Sequence, residues 1–346
     1  MLRYALCLLL AALSPQTAEI KMETLTYASS ADKTAPLYAD IALRPDGKPK
    51  PLLVVMHGYN GSRADVNLDL KELVEKGVVA LAPDMRGSGE SAGKWDSGGL
   101  DTHDILDAVL AAVAAHPREI NARNLNIVGY SGGGGNAIAC AVRFPDLFQT
   151  CVSFFGISDY GAWHQSKGRP DCSQRMERAL GGPPEKVPEM YVARNANTAA
   201  GNALARLHFF WDEEETQCPP DTIEKFAVNY QKAGLTRATV HVSKRTDKDR
   251  WLHGYRTDHR RLSQADALFL PDVLAGTASP ALPRKGRLVV NGYLVTRRFA
   301  VRIEDGQRGR VVVEYDVSGA KPAVKVIENP RQYKVRVEES PLAVLP

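Results

Sequence analysis

The run Gly129-Tyr130-Ser131-Gly132-Gly133 places a serine between glycines two residues before and two residues after it. A short β-type stretch with Leu125, Ile127 and Val128 leads straight into it, and small residues open a helical segment behind it. A strand that turns sharply into a helix at a serine holds that residue in a strained conformation, and the flanking glycines keep Cβ atoms out of the crossing. The hydroxyl is then exposed as a nucleophile. A glycine-rich helix entry can also cradle a phosphate or simply pack tightly, so the nucleophile reading requires a base, an acid and an oxyanion site elsewhere in the chain.

The chain offers all three in a workable order. His253, in Trp251-Leu252-His253-Gly254-Tyr255, lies in a polar loop after an expected last strand at 237–243 and is followed by glycine, so its imidazole can swing over the serine. His241 sits within that strand and His259 within a basic helical start, and both fit the role less well. The acid belongs after the apolar run 207–210, where Asp212, Glu213, Glu214 and Glu215 follow in succession. A carboxylate there fixes the imidazole tautomer and stabilises the imidazolium. The apolar run 52–56 continues as His57-Gly58-Tyr59-Asn60-Gly61. The backbone amides of Tyr59 and Gly132 are the natural donors to an oxyanion, whereas His57 reads as a loop-shaping residue.

These residues need a scaffold that brings strand ends together. Residues 21–29 and 36–44 alternate apolar and polar side chains, which predicts an antiparallel entry pair. The runs 52–56, 78–82, 125–128, 151–155 and 207–210 are instead continuously apolar, as strands covered on both faces must be. Helical patterns at 68–76, 101–115 and 221–232 lie between them; Asp221 and Glu224 suggest a capping box on the last, and Gly234 a stop. The expected fold is α/β, a doubly wound, mostly parallel sheet spanning 19–280 with inserted substrate loops at 156–205. Past residue 280 the pattern is alternating only, over 288–290, 293–303, 310–317 and 332–338, with Asn291-Gly292, Asp305-Gly306 and Ser318-Gly319 as turns, which predicts a small antiparallel β-domain at 281–346 covering one edge of the main sheet.

Composition narrows the function. The chain has 346 residues and a formal charge of +4, with basic and acidic residues mixed, so no stripe argues for nucleic acid. Residues 1–18 carry Arg3, an apolar run and small residues, the pattern of a signal peptide, and nothing after them is long and apolar enough to anchor a mature chain in a membrane. A secreted or periplasmic protein is expected. In such a compartment the four remaining cysteines predict disulfides, Cys172 with Cys218 and Cys140 with Cys151. No spacing suggests zinc, and the chemistry outlined needs neither metal nor cofactor.

Taken together, these motifs resemble an α/β-hydrolase of the prolyl-oligopeptidase and related esterase group. The serine turn and the His57-Gly58 loop carry the resemblance, with Pro83-Asp84-Met85-Arg86-Gly87-Ser88-Gly89-Glu90-Ser91, Leu180-Gly181-Gly182-Pro183-Pro184 and Pro188-Glu189-Met190-Tyr191, over about residues 51–255. Laying the family's acid loop on the chain without gaps puts Glu215 at the aspartate position, with Asp212 in reserve; glutamate for aspartate is a departure. The resemblance thus implies a triad of Ser131, Glu215 and His253. Because little chain separates the signal from the first core strand, the expected activity is a secreted carboxylic-ester hydrolase acting on small-molecule or polymeric esters, such as acylated polysaccharides, aryl esters or polyesters. The alternative is a serine peptidase of the same family. Trp163 and Trp251 are expected to contact substrate, with Tyr160, Trp95, Arg169 and Arg175 as further candidates for the pocket wall.

Overall fold

The computed structural model describes residues 18–248, 250–253, 259–276 and 278–345. Eight strands make the main sheet: β1 (Lys21–Tyr27), β2 (Leu37–Leu43), β3 (Lys50–Met56), β4 (Val79–Pro83), β5 (Ile120–Tyr130), β6 (Phe148–Phe154), β7 (Arg206–Asp212) and β8 (Ala238–Ser243). Their order is β1-β2-β4-β3-β5-β6-β7-β8. β1 and β2 pair antiparallel, β2 runs antiparallel to β4, and every pairing from β4 to β8 is parallel. This is the α/β-hydrolase arrangement, with the expected entry pair at one edge.

The continuous apolarity of the central strands follows from helices on both faces. Successive side chains of a strand point to opposite faces, and β3 shows it: Leu52, Val54 and Met56 enter one core while Leu53 and Val55 enter the other. The first core is closed by α2 (Leu100–Ala115), α3 (Gly132–Arg143) and α7 (Asp221–Lys232). The second is closed by α1 (Asn67–Glu75), α4 (Tyr160–Ser166), α5 (Pro170–Leu180) and α8 (His259–Leu274), and the short α6 (Pro188–Val192) adds Tyr191 to it. α7 starts at Asp221, but Pro220 takes the cap position and no side chain caps the first turn, so the expected capping box is absent. Gly234, with φ +80, follows the helix end as anticipated.

The C-terminal strands form a second, antiparallel sheet: β9 (Lys285–Asn291), β10 (Tyr293–Val295), β11 (Ala300–Ile303), β12 (Arg310–Asp316), β13 (Ala323–Glu328) and β14 (Val335–Glu338), in the order β13-β12-β9-β10-β11-β14. The single strand expected over 293–303 is two strands, because Thr296 N and Oγ1 both donate to the Phe299 carbonyl and fold the chain back. β13 escaped the pattern reading. The sheet docks on helices rather than on an edge of the main sheet, contrary to expectation. The Tyr293 ring lies 4.7 Å from the Arg143 guanidinium carbon of α3, its hydroxyl donates to Gly99 O at 3.2 Å, and Asn202 pairs with the Val289 backbone at 2.7 and 3.0 Å. A buried polar anchor of this kind must find its partners, and those partners lie on the helix face.

The expected disulfides are absent. Cys140, Cys151, Cys172 and Cys218 are all buried free thiols, and burial pushes each thiol pKa up. Cys140 on α3 and Cys151 on β6 share one core, where an unpaired cysteine packs as a small apolar side chain. The signal-peptide expectation falls on residues 1–17, outside the described residues, together with Ala18 at their border.

Candidate active site

The serine turn is built as its glycines require. Ser131 has φ 55 and ψ −120, a conformation that costs a non-glycine residue roughly 1–3 kcal/mol. It caps α3, its N–H donates to Phe154 O at 2.9 Å, and its carbonyl accepts from Gly135 N at 3.0 Å. A Cβ on Gly129 would overlap the Gly133 carbonyl, and one on Gly133 would overlap the His57 and Met56 carbonyls. Only glycine lets β3, β5 and the helix entry approach so closely.

The ends of β5, β7 and β8 bring three side chains into one line. Ser131 Oγ lies 3.0 Å from His253 Nε2, and His253 Nδ1 lies 3.1 and 3.2 Å from the two Glu215 oxygens. Nδ1 facing a carboxylate carries the proton, so Nε2 is free to accept from the serine. Glu215 is itself fixed: its Oε1 accepts from Gln217 N at 2.7 Å and Cys218 N at 2.9 Å, and its side chain is 2% exposed. The Phe155 ring packs 4.9 Å from the imidazole and limits its swing. The glutamate therefore reaches the histidine from the position taken from the gapless family register.

The reserve acid is engaged elsewhere. Asp212 accepts from Arg250 Nε at 2.8 Å and again from Arg250 Nη2, from Ser243 Oγ at 2.7 Å, and from Glu214 N at 3.0 Å. Burial raises the Asp212 carboxyl, but the Arg250 and Ser243 hydrogen bonds outweigh it and leave the pKa at about 2. Arg250, which the sequence reading passed over, stands three residues before His253 as Asp212 stands three before Glu215. That matched spacing was the available signal.

Two amides next to Ser131 are the candidates for an oxyanion site. Gly132 N–H belongs to the first turn of α3, which lacks an intrahelical acceptor, and Tyr59 N–H has no acceptor among the described residues. The Tyr59 ring lies against Gly132, so closely that a Cβ there would overlap it. The Tyr59 hydroxyl is turned away and donates to Tyr160 Oη at 2.9 Å, and burial raises both phenol pKa values. What Tyr59 offers the site is therefore its backbone N–H. His57 shapes this loop as expected: its Nδ1 donates to Gly58 O at 2.8 Å and its Nε2 accepts from Met85 N at 3.0 Å.

The two tryptophans part company. Trp163 lines the site, 6.2 Å from Tyr59, with its Nε1 donating to Gln217 O at 2.9 Å beside the Glu215 loop. Trp251, two residues before His253 and half-buried, packs edge-on against Phe210 of β7 at 5.1 Å and His241 of β8 at 6.2 Å. Cys218, with Sγ 4.0 Å from Ser131 Oγ, is a neighbour of the nucleophile that the disulfide expectation concealed. Among the described residues no group of three or more His, Cys, Asp or Glu is placed to hold a metal ion, and no helix is long and apolar enough to cross a membrane.

Comparison with known proteins agrees with this architecture. The family model described as the prolyl oligopeptidase family matches residues 64–269, more than half of the chain. The uncharacterized peptidase YtmA of Bacillus subtilis (strain 168) is 31% identical over 123 residues, covering 36% of this chain and 46% of that protein. Among solved structures, Pyrococcus horikoshii acylaminoacyl peptidase superposes with a TM-score of 0.60 at 18% identity over 78% of this chain and 43% of its own. A puromycin hydrolase superposes with a TM-score of 0.58 at 20% identity over 76% of this chain and 40% of its own. The chain thus spans less than half the length of each of these relatives. On the family match, and with the fold those structures share, the chain belongs to the prolyl oligopeptidase family of α/β-hydrolases.

Proposed function

We propose that this chain is a serine peptidase that cleaves an amide bond through an acyl-enzyme on Ser131. The observation that carries the reading is the unbroken line from Ser131 Oγ through His253 to Glu215. In the first step His253 Nε2 takes the serine proton as Oγ attacks the substrate carbonyl. The negative charge on the carbonyl oxygen is met by the Gly132 and Tyr59 amides, which need no reorganisation at that moment. Glu215 stabilises the imidazolium, which then protonates the leaving amine. Water, activated by the same imidazole, releases the acyl group and restores the serine.

Ester and amide cleavage share this machinery, so geometry alone does not rank them. The sequence expectation put an ester hydrolase first. The family match, the peptidase relative and the acylaminoacyl peptidase and puromycin hydrolase neighbours favour amide cleavage instead, and reverse that order. A small-molecule or peptide substrate fits this reading. A secreted or periplasmic location belongs to the same proposal and is supported by the charged, apolar and small-residue pattern of residues 1–18.

The test is hydrolysis of aminoacyl p-nitroanilides beside a chain-length series of p-nitrophenyl esters, by wild-type protein and Ser131→Ala. Turnover of anilides, lowered about a million-fold by the substitution, is the expected result. Ester turnover without anilide cleavage would return the ester reading to first place, and activity surviving in the variant would remove Ser131 as nucleophile.

A further inference from the structure

Two arginines of the segment between β6 and β7 approach the site and differ in what satisfies them. Arg169 is neutralised, with Nε and Nη2 donating to Asp171 at 2.9 and 2.7 Å and Nη1 donating to Gln217 Oε1 at 2.9 Å. Arg175, half-buried on α5, has no carboxylate within ion-pair distance among the described residues. It is nevertheless held in place. Its Nη1 donates to Asn60 Oδ1 at 2.8 Å, and its guanidinium lies over the Trp95 ring, 4.9 Å from the centroid. Trp95 packs edge-on against Tyr59 at 4.7 Å, and Tyr59 packs on Gly132.

A cation is thus tied, directly through Asn60 and indirectly through Trp95, to the loop that carries the Tyr59 amide. A guanidinium has five N–H donors in a rigid fork, and the contact with Asn60 uses one edge of it. Stacking on an aromatic face fixes the plane in advance, so little freedom is lost when an anion pairs with the remaining donors. Partial burial strengthens the attraction relative to bulk water. Because Asn60 directly follows Tyr59, a carboxylate bound by Arg175 would sit beside the loop that carries the Tyr59 amide, and so near the scissile carbonyl. Resting on the peptidase reading above, we infer that Arg175 is a specificity-determining residue that pairs with a substrate carboxylate, so that the enzyme selects peptides carrying one near the cleaved bond. That carboxylate is either an acidic side chain or the peptide's own C-terminus.

The test uses Ser131→Ala protein, which binds without turnover, titrated calorimetrically with short alanine peptides. One set exchanges Gln for Glu at successive positions, and a second compares free with amidated C-termini. One member of these pairs is expected to bind about ten- to a hundredfold more tightly as the acid, as charge-assisted hydrogen bonds allow. Which set shows the difference separates the two sources. Adding Arg175→Gln should bring acid and amide to near-equal affinity, while Arg175→Lys, which keeps the charge without the fork, retains part of the preference. An unshifted melting transition in Arg175→Gln excludes loss of fold as the cause. Equal affinity for acid and amide in every pair, or a preference that survives Arg175→Gln, overturns the inference. Selective binding of peptides that wild-type protein does not cleave would instead leave the carboxylate site standing and remove the peptidase reading.

Discussion

Two carboxylates three residues apart, one closing β7 and one in the turn behind it, face two basic side chains three residues apart on the loop after β8. Asp212 meets Arg250 and Glu215 meets His253, and in both pairs the partners are 38 residues apart in sequence. The first pair joins a side chain with no exposure to a permanently charged fork, and Ser243 completes it. The second joins a similarly enclosed carboxylate to an imidazole whose other nitrogen faces Ser131 Oγ. The end of β7 and the turn behind it therefore hold a fixed strut and the proposed catalytic pair side by side. What separates them is the partner's chemistry: both carboxylates are buried, and only Glu215 faces an imidazole that reaches Ser131 Oγ.

Substitutions can sharpen or break this contrast. Glu215→Gln should lower kcat about ten-thousand-fold, the loss typical of removing the anion behind a catalytic histidine. Glu215→Asp keeps the charge but withdraws it by one methylene, and a drop on the order of a hundredfold is expected from that misplacement. Asp212→Asn should cost far less in kcat than either, yet lower the melting temperature, because Arg250 loses its buried charged partner and keeps only the half-exposed Glu214 carboxylate at 2.7 Å. If Asp212→Asn proved as damaging to kcat as Glu215→Gln, with melting unchanged, the division of roles would be wrong.

Acid titration separates the pairs more finely. The Asp212 carboxyl titrates at about 2 in the folded protein, against roughly 3.9 for an unperturbed aspartate. A depressed carboxyl stabilises the fold above its unfolded pKa, and this stability fades as pH falls from about 4 toward 2. Acid unfolding followed by circular dichroism should therefore show a component in that window that Asp212→Asn removes.

Much of this was legible in the residues because local chemistry decides it. Continuous apolarity announced strands buried on both faces, and the glycines around Ser131 announced a crossing with no room for Cβ atoms. Glu215 followed from a gapless family register. What escaped depends on contacts between distant segments. The cysteines were read through an expected compartment, whereas burial in shared cores satisfies them as thiols. Trp251 has Phe210 of β7 and His241 of β8 as neighbours, which the sequence around it does not announce. The docking of the second sheet rests on Tyr293, whose partners Gly99 and Arg143 lie more than a hundred positions away. No local pattern reports such pairings.

The backbone of Ser131 sets stability against activity at one position. Its φ of 55 is one that glycine adopts without penalty. Ser131→Ala keeps the unfavourable geometry and Ser131→Gly relieves it, so of two equally inactive proteins the glycine variant should melt at the higher temperature. Selection for heat resistance alone would then favour loss of the proposed nucleophile, and a screen for thermostable forms of this protein has to score turnover at every round.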